Sequence, residues 1–486
     1  DAATALRGIR SRLGSAAAEP KNTKKTSFCA RPMAEGGAEL MMNGFRIMPE
    51  KPCLEVKDEK NIAPFSLPVE AFSFKPQGDA IITQFKNGDR ERKIHCNIEL
   101  EEQELDQLSK LQEAVRQQGL QFLPSIAAMA TRYLSRARGD PTKAIKLMQA
   151  TQEWRLSYFQ KGPISDSDVA EDMKHGIVYF SGRDSALRPA IIIRAIRIPQ
   201  QWYKEKRVDK LINILIFSME YMMRYMLLPG TIENNVLIVD LKGLSWTQVP
   251  LSALSEVYKV MSHHYSGRVF RFYICNLSAG LSLIASAAKN ILTDRQKQKL
   301  VFLDDVKDLR KDFALHQLEE DLGGSRPSIK EFFPFPLQAG PFSSGCDKGV
   351  DAAAVPEAHT VLTKKGFMGR LWDGKMSRSA NLRLDFAPEA ADWFQSKGLP
   401  LPAGLQQQVE GGSPSGVPAD ENPKEEGLNA GIDNVNESVS NNAGSLGREG
   451  EVDKGAAQPV VIAEAAYQDE AVQQRGFFSC TSCWCS

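Results

Sequence analysis

Apolar positions recur with two distinct periods through the middle of this chain, and both periods fade towards its ends. Three short runs, VLIVD (236–240), FRFYICN (270–276) and KLVFL (299–303), are rich in β-branched and aromatic residues and are closed by polar or turn residues. Each predicts a strand. The spacers between them are about 30 and 22 residues long and carry helical periodicity, which is the spacing of parallel crossovers. The strands are nearly continuous in apolar character, so both of their faces are expected to be covered. The stretch from Asn235 to Leu303 is therefore read as the core of an α/β domain.

Helical periods precede it. Residues 97–118 place Leu105, Leu108, Leu111 and Val115 on one face behind an acidic first turn, and Gly119 closes them. This predicts an amphipathic helix. A second helix is expected over about 125–138, with Ile126, Met129, Tyr133, Leu134 and Ala137 inward. A third begins at Asp140-Pro141, where Asp caps and Pro suits the first helical position, and it presents Ala144, Leu147, Met148, Thr151, Trp154 and Tyr158. Three helices on short links make a small helical lobe. Residues 177–196 read as a hairpin around a polar turn, 207–228 as a long helix stopped by Pro229-Gly230, and 315–327 as a short acidic helix. Further strand-like pieces, AIITQF (80–85) before the turn NGD (87–89), carry no role that the sequence reveals.

Composition narrows the function. Sixty basic and sixty acidic residues give a net charge of zero, and no overall field to attract nucleic acid. No window offers about 18 uninterrupted apolar residues, so no transmembrane helix is expected. The first five of eight cysteines, at 29, 53, 96, 275 and 346, are isolated, which suits a reducing compartment. The first 25 residues, rich in Ala, Arg and Ser, mildly resemble a transit peptide, but a disordered arm is the preferred reading.

Tests for chemistry fail. GxGxxG after a strand, GxxxxGK[ST] and GxSxG are all missing from the chain. His263 and His264 are adjacent and so point to different helical faces, without metal-ligand spacing. Cys275 at a strand end reads as a buried structural cysteine. Asp304/Asp305 and Glu319/Glu320 read as solvated charges, and His175 and His316 as surface or capping residues. No catalytic residue, metal or cofactor is expected. What stands out is a methionine-rich helix bearing Met219, Met222, Met223 and Met226, together with the small-residue stretch LSAGLSLIASAAKNIL (277–292). Such residues can line a cavity for a flexible apolar ligand, although composition alone favours ordinary core packing.

The order of motifs resembles the CRAL-TRIO lipid-binding family, that of the yeast phosphatidylinositol/phosphatidylcholine transfer protein. YLSRARGDPTKAIKLMQATQEWR (133–155) is similar to its "FLRARKFD…A…ML…WR" helices, and VYFSGRDSALRPAIIIRA (178–195) to its "G.D..GRPV…R" hairpin. VLIVDLKGLSW (236–246) is similar to "I.D..G.S", and HHYSGRVFRFYICNLSAGLSLIASAAKNIL (263–292) to "YPER….YIIN.P..F……KPFL". LEEDLGG (318–324) is similar to the closing "LP.E.GG". The resemblance implies a CRAL-TRIO-like α/β fold: a helical lobe, and a mixed or parallel sheet flanked by helices that form the floor and walls of an apolar lipid pocket under a mobile gate helix. The expected organisation is a disordered arm (1–60), unassigned short strands (61–96), the helical lobe (97–162), the lipid-binding domain (163–327), a partly ordered extension (328–400) and a disordered tail (401–486).

The resemblance also assigns roles. Leu277, Leu281, Ile284 and Ala288 fall in the gate, and Met219, Met222 and Met223 are expected to line the pocket. Phosphatidylinositol binders in the family place an acid before the third strand and a Lys in the gate, positions that fall on Glu256 and Lys289, with Ser286 one turn earlier as a hydroxyl donor. Lys would meet phosphate and Glu the inositol hydroxyls. Departures are plain: Asn290 replaces Pro, Ser266-Gly267 replaces Pro-Glu, and Ser135 stands where a headgroup-contacting Arg is usual, leaving Arg136 or Arg138 to substitute. The implied function is non-enzymatic binding and exchange of one phospholipid, phosphatidylinositol favoured. The alternatives are a lipid-sensing regulatory module and a carrier of a sterol, retinoid or tocopherol-like molecule. A cytoplasmic protein visiting membranes peripherally is expected. KKGFMGRLWDGK (364–375) reads as plain surface, with contact to an anionic leaflet the alternative. The closing FFSCTSCWCS offers Cys480, Cys483 and Cys485 as candidate lipidation positions, against cysteines without a role.

Overall fold

The computed structural model describes residues 41–58, 61–96, 98–245, 248, 251–278, 280–281, 294–346, 349, 390–396 and 401. In chain order the first elements are β1 (Met41–Met42), β2 (Phe45–Arg46), β3 (Leu54–Glu55), α1 (Glu70–Ser73), β4 (Ile82–Gln84) and β5 (Arg90–Arg92). The helical lobe follows as α2 (Glu102–Gln117), α3 (Pro124–Ala127), α4 (Ala130–Arg136) and α5 (Pro141–Tyr158). Then come β6 (Ile164–Ser165), α6 (Asp166–Met173), β7 (Val178–Arg183), β8 (Pro189–Arg194), α7 (Gln200–Lys204), α8 (Val208–Tyr225), β9 (Asn235–Asp240), α9 (Leu251–His264), β10 (Val269–Cys275), α10 (Asp294–Lys299), β11 (Leu300–Phe302) and α11 (Ala390–Ser396).

Local chemistry sets the helix starts. Glu101 and Glu104 form a capping box ahead of α2. Asp140 accepts the backbone N–H of Lys143 ahead of α5, whose first residue is Pro141. Ser165 and Asp168 cap α6 reciprocally. The helix expected over 125–138 is two helices, because the chain leaves helical geometry at Met129.

The main sheet has the order β11-β10-β9-β8-β7, with β7–β8 antiparallel and the other pairs parallel. It is the mixed α/β sheet that the three apolar runs and the hairpin predict. Register defines its faces. Tyr179, Ile192, Ile238, Tyr273 and Val301 lie side by side across the five strands. This face is covered by chain 305–326: Tyr179 Oη donates to Glu319 at 2.6 Å, and Tyr273 Oη to Asp312 at 2.7 Å. Gly182 sits at a bulge in β7 with φ +81, and a Cβ there would strike the Gln317 carbonyl of that covering chain.

Three expectations are corrected. The acidic stretch 315–327 is not an α-helix but two short 3-10 turns, Leu315–Gln317 and Glu320–Leu322. Glu319 is not solvated: it is 1% exposed, accepts from Tyr179 and pairs with Arg194. Residues 41–58 are not a disordered arm. Phe45 and Ile47 join the core of the helical lobe, Leu54 pairs with Ile164, and Glu50 accepts from Ser125 and Arg155. Single apolar residues on two-residue strands have no period for a sequence reading to detect.

Candidate functional site: a half-open apolar sheet face

The second face of the sheet is different. Phe180, Ile191, Leu237, Phe272 and Leu300 form one in-register row, and Val178, Ile193, Val239, Ile274 and Phe302 the next. At the β7 end these rows are closed: Phe180 is fully buried, with Phe335 at 4.9 Å, and Phe335 in turn packs on Phe217 and Tyr221 of α8. From β9 onward the same rows are only half-buried, at Leu237, Val239, Phe272, Ile274, Leu300 and Phe302.

The position of the crossover helices explains this gradient. α8 packs on β7, β3 and α6, and α9 packs on α8 and α5, with Val257, Val260 and Met261 half-buried against the main core. Its C-terminal end is fastened to the helical lobe and to α8. His264 stacks on Trp154 at 4.3 Å with 3° between the rings, Tyr265 Oη donates to Glu220 at 2.9 Å, and Arg136 donates to the Ser262 carbonyl and the Ser266 hydroxyl. Burial, together with the neighbouring His263, Arg136 and Arg155, pushes His264 down to about 3. A parallel crossover normally lays its helix on the sheet. Here the helix also engages α8 and α5, and among the described residues the strand rows beside it are half-buried.

The carboxyl ends of β8, β9 and β10 carry a buried polar knot. Arg194 donates to Asp240 at 2.6 Å, and Asn276 donates to the other Asp240 oxygen at 2.7 Å. Asn276 has φ +56, so this bond fixes the left-handed residue at which the chain leaves β10. Burial raises the Asp240 pKa, but the hydrogen bonds from Asn276 and Arg194 outweigh it and hold the carboxyl below its usual range. Leu277 and Leu281, just beyond, are half-buried. The sequence signal for Arg194, Asp240 and Asn276 was present in the motif letters, but as resemblance and not as chemistry.

The remaining predicted site residues divide clearly. Glu256 is exposed on α9. Ile284, Ser286, Ala288, Lys289, Cys480, Cys483 and Cys485 lie outside the described residues, as does the segment 364–375. Met219, Met222 and Met223 are buried in the main apolar core. Of the two arginines near Ser135, Arg136 is engaged with α9, whereas the Arg138 side chain is 65% exposed, 3.7 Å from Asp89. It stands at the rim of a polar cleft of about 280 Å³ lined also by Arg90, Arg92, Glu101, Glu104, Ser135 and Arg295. That cleft is a charged recess and not a place for hydrocarbon, so the apolar face is the candidate site for a lipid's chains.

Burial pushes the Cys275 thiol up to about 12, well away from a thiolate at neutral pH. Among the described residues, no group of three or more His, Cys, Asp or Glu is placed to hold a metal, and no helix is long and apolar enough to cross a membrane.

Residues 173–324 match the CRAL/TRIO domain family. Among curated proteins, the chain is 24% identical over 182 residues to a SEC14 cytosolic factor of Yarrowia lipolytica, a match covering 34% of this chain and 36% of the relative. The chain thus spans about a third of the length of that relative. Among solved structures, the crystal structure of Sfh5 aligns with a TM-score of 0.38 and 14% identity, over 48% of this chain and 91% of that one. The domain match, with the motif series and the mixed sheet, identifies residues 173–324 as a CRAL/TRIO domain, similar in sequence to a SEC14 cytosolic factor.

Proposed function

We propose that the protein binds one lipid on the half-open sheet face, with its chains against Leu237, Val239, Phe272, Ile274, Leu300 and Phe302, and exchanges it at membranes. The observation that carries this is the half-burial of both apolar rows from β9 to β11. Uncovered apolar surface costs about 25 cal/mol per Å² in water, so a fold that leaves two rows of it open favours an apolar occupant. Lipid binding is the general property of the family; the identity of the cargo is the finer step. Phosphatidylinositol is favoured, with Lys289 meeting its phosphate and Glu256 its inositol hydroxyls. The exposure of Glu256 and of Arg138 at the neighbouring rim supports a headgroup held at the surface while the chains lie inside. The segment 277–292 is the proposed gate. The protein is proposed to act without catalysis, in the cytoplasm, with peripheral contact to membranes.

Native mass spectrometry of the full chain, followed by vesicle-to-vesicle transfer, tests this. A co-purifying phosphoinositide that transfers between vesicles supports it, and Lys289→Ala should then abolish phosphatidylinositol transfer. A neutral isoprenoid or sterol overturns the choice of cargo. Absence of both bound lipid and transfer overturns exchange and favours a lipid-sensing module.

A further inference from the structure

The β4–β5 hairpin is joined to α10 by a series of polar contacts. Arg295 of α10 donates through Nε and Nη2 to the two carboxylate oxygens of Asp89, at 2.5 and 2.6 Å. The same guanidinium donates to the Arg90 carbonyl at 2.8 Å and to the Ser135 carbonyl, in α4, at 2.7 Å. Gln298 accepts the backbone N–H of Lys86 at 3.2 Å, and Lys299 pairs with Glu91 at 2.6 Å. One face of a six-residue helix is thus fastened to the turn and second strand of a hairpin some two hundred residues earlier in the chain.

What α10 leads into makes this fastening consequential. The next residue begins β11, the edge strand, which is three residues long and paired only to β10. Leu300 and Phe302 are its half-buried contributions to the open face. So short an edge strand holds its own position weakly. The contacts of α10 with the hairpin are therefore a principal restraint on this rim of the apolar face.

The restraint is ionic and half-enclosed, with the Arg295 and Asp89 side chains 16% and 19% exposed and Lys299 and Glu91 14% and 10%, and exposed cations stand beside it. Asp89 faces two cations, Arg295 in bidentate contact and Arg138 at 3.7 Å, and the Arg138 side chain is 65% exposed. Arg90 beside them pairs with Glu101 at 2.5 Å, both about half exposed. The adjoining cleft is lined by four arginines, Arg90, Arg92, Arg138 and Arg295, against three carboxylates, Asp89, Glu101 and Glu104. A dense array of anionic lipid headgroups offers these guanidiniums an alternative to one shared carboxylate, in a field that decays over about 8 Å at physiological salt.

We propose that the β4–β5 hairpin is a charge-operated clasp on α10, released when an anionic lipid surface draws Arg138 and Arg295 away from Asp89. Release frees α10 and β11 and widens the rim of the apolar face, so the site opens where there is a membrane to receive its contents. This rests on the lipid-exchange reading above and supplies its regulation.

Hydrogen–deuterium exchange of residues 294–302 in the full chain tests the clasp without requiring cargo to move. Phosphatidylserine-containing vesicles should accelerate exchange there by about fivefold or more, since even an exposed ion pair reaches about that scale. Pure phosphatidylcholine vesicles and inorganic phosphate should leave it unchanged. Asp89→Asn should exchange at the faster rate with no vesicles present. Exchange that ignores phosphatidylserine, or responds equally to inorganic phosphate, overturns the clasp. So does an Asp89→Asn variant that keeps wild-type protection, and the wild-type arm decides alone should that variant not fold. Lipid transfer measured on the same preparation judges the exchange reading separately: transfer without the exchange response rejects only the clasp.

Discussion

Arg194 and Asp240 are direct neighbours across the parallel strands β8 and β9, 2.6 Å apart, with side chains only 3% and 5% exposed. Arg194 also pairs with Glu319 and Asp321 of the covering chain, so one guanidinium joins two strands to the segment that closes the opposite face of the sheet. Breaking such a pair by removing one partner leaves an uncompensated buried charge, at about 3–5 kcal/mol. Arg194→Met should therefore lower stability to urea by that amount. Retention of the wild-type midpoint would show that the pair is not holding the sheet.

Acid should act through the same carboxylate. The folded-state pKa of Asp240 lies below its unfolded value of about 3.9. Its contribution is thus present above that value and is lost as pH falls towards the folded pKa. Asp240→Asn should be less stable at neutral pH, and its stability should change less with pH below about 4. Urea midpoints measured down the acid limb compare the two slopes.

His264 gives a second, higher window. Its folded pKa is pushed down to about 3, against an unfolded value of about 6.5. The unfolded chain therefore takes up the proton first, and stability falls as pH drops below about 6.5. His264→Phe keeps an aromatic ring against Trp154 and removes the proton. Its urea midpoint should fall less than that of the wild type between pH 7.5 and 5, and equal slopes would count against the assignment. His95, fully enclosed and also depressed by burial, retains part of the slope in the variant.

The open face can be filled by design. Val239→Trp places a large apolar side chain on the half-buried rows, beside Leu237 and Ile274. It should reduce co-purifying lipid severalfold with little loss of helical circular dichroism. Undiminished lipid would move the cargo off this face.

Far along the chain, α11 docks Phe394 into the main core, 1% exposed and edge-on to Phe72 at 5.7 Å. Phe394→Ala should cost about 3–5 kcal/mol, although the residue lies well beyond the matched domain. A thermal shift assay comparing it with a chain ending at residue 389 would show whether the helix is integral.

Local patterning made the sheet legible. The strands VLIVD and FRFYICN and the hairpin 178–195 declare themselves by short apolar runs, and Asp140-Pro141 declares the helix that follows it. What escaped depends on distance along the chain. Nothing near Phe394 announces Phe72, nothing near Asp89 announces Arg295, and the acidity of LEEDLGG conceals that Glu319 is buried between Tyr179 and Arg194. The anchoring of α9 was equally hidden, because it depends on His264, Tyr265 and Arg136 meeting partners from other elements. The motif letters pointed to the right family, yet several of them, Arg155, Arg194, Asp240 and Glu319 among them, fasten the fold and do not touch the open face.

The half-buried face has a consequence beyond exchange. If the proposed lipid completes it, the chain exists in two forms, one loaded and one empty, with different resistance to unfolding. Saturating ligand at a hundred times its dissociation constant adds about 2.7 kcal/mol to a fold, enough to change how often the chain opens to a protease by about a hundredfold. Supply of the passenger would then set the lifetime of its carrier, and a cell short of the lipid would also come to be short of the protein.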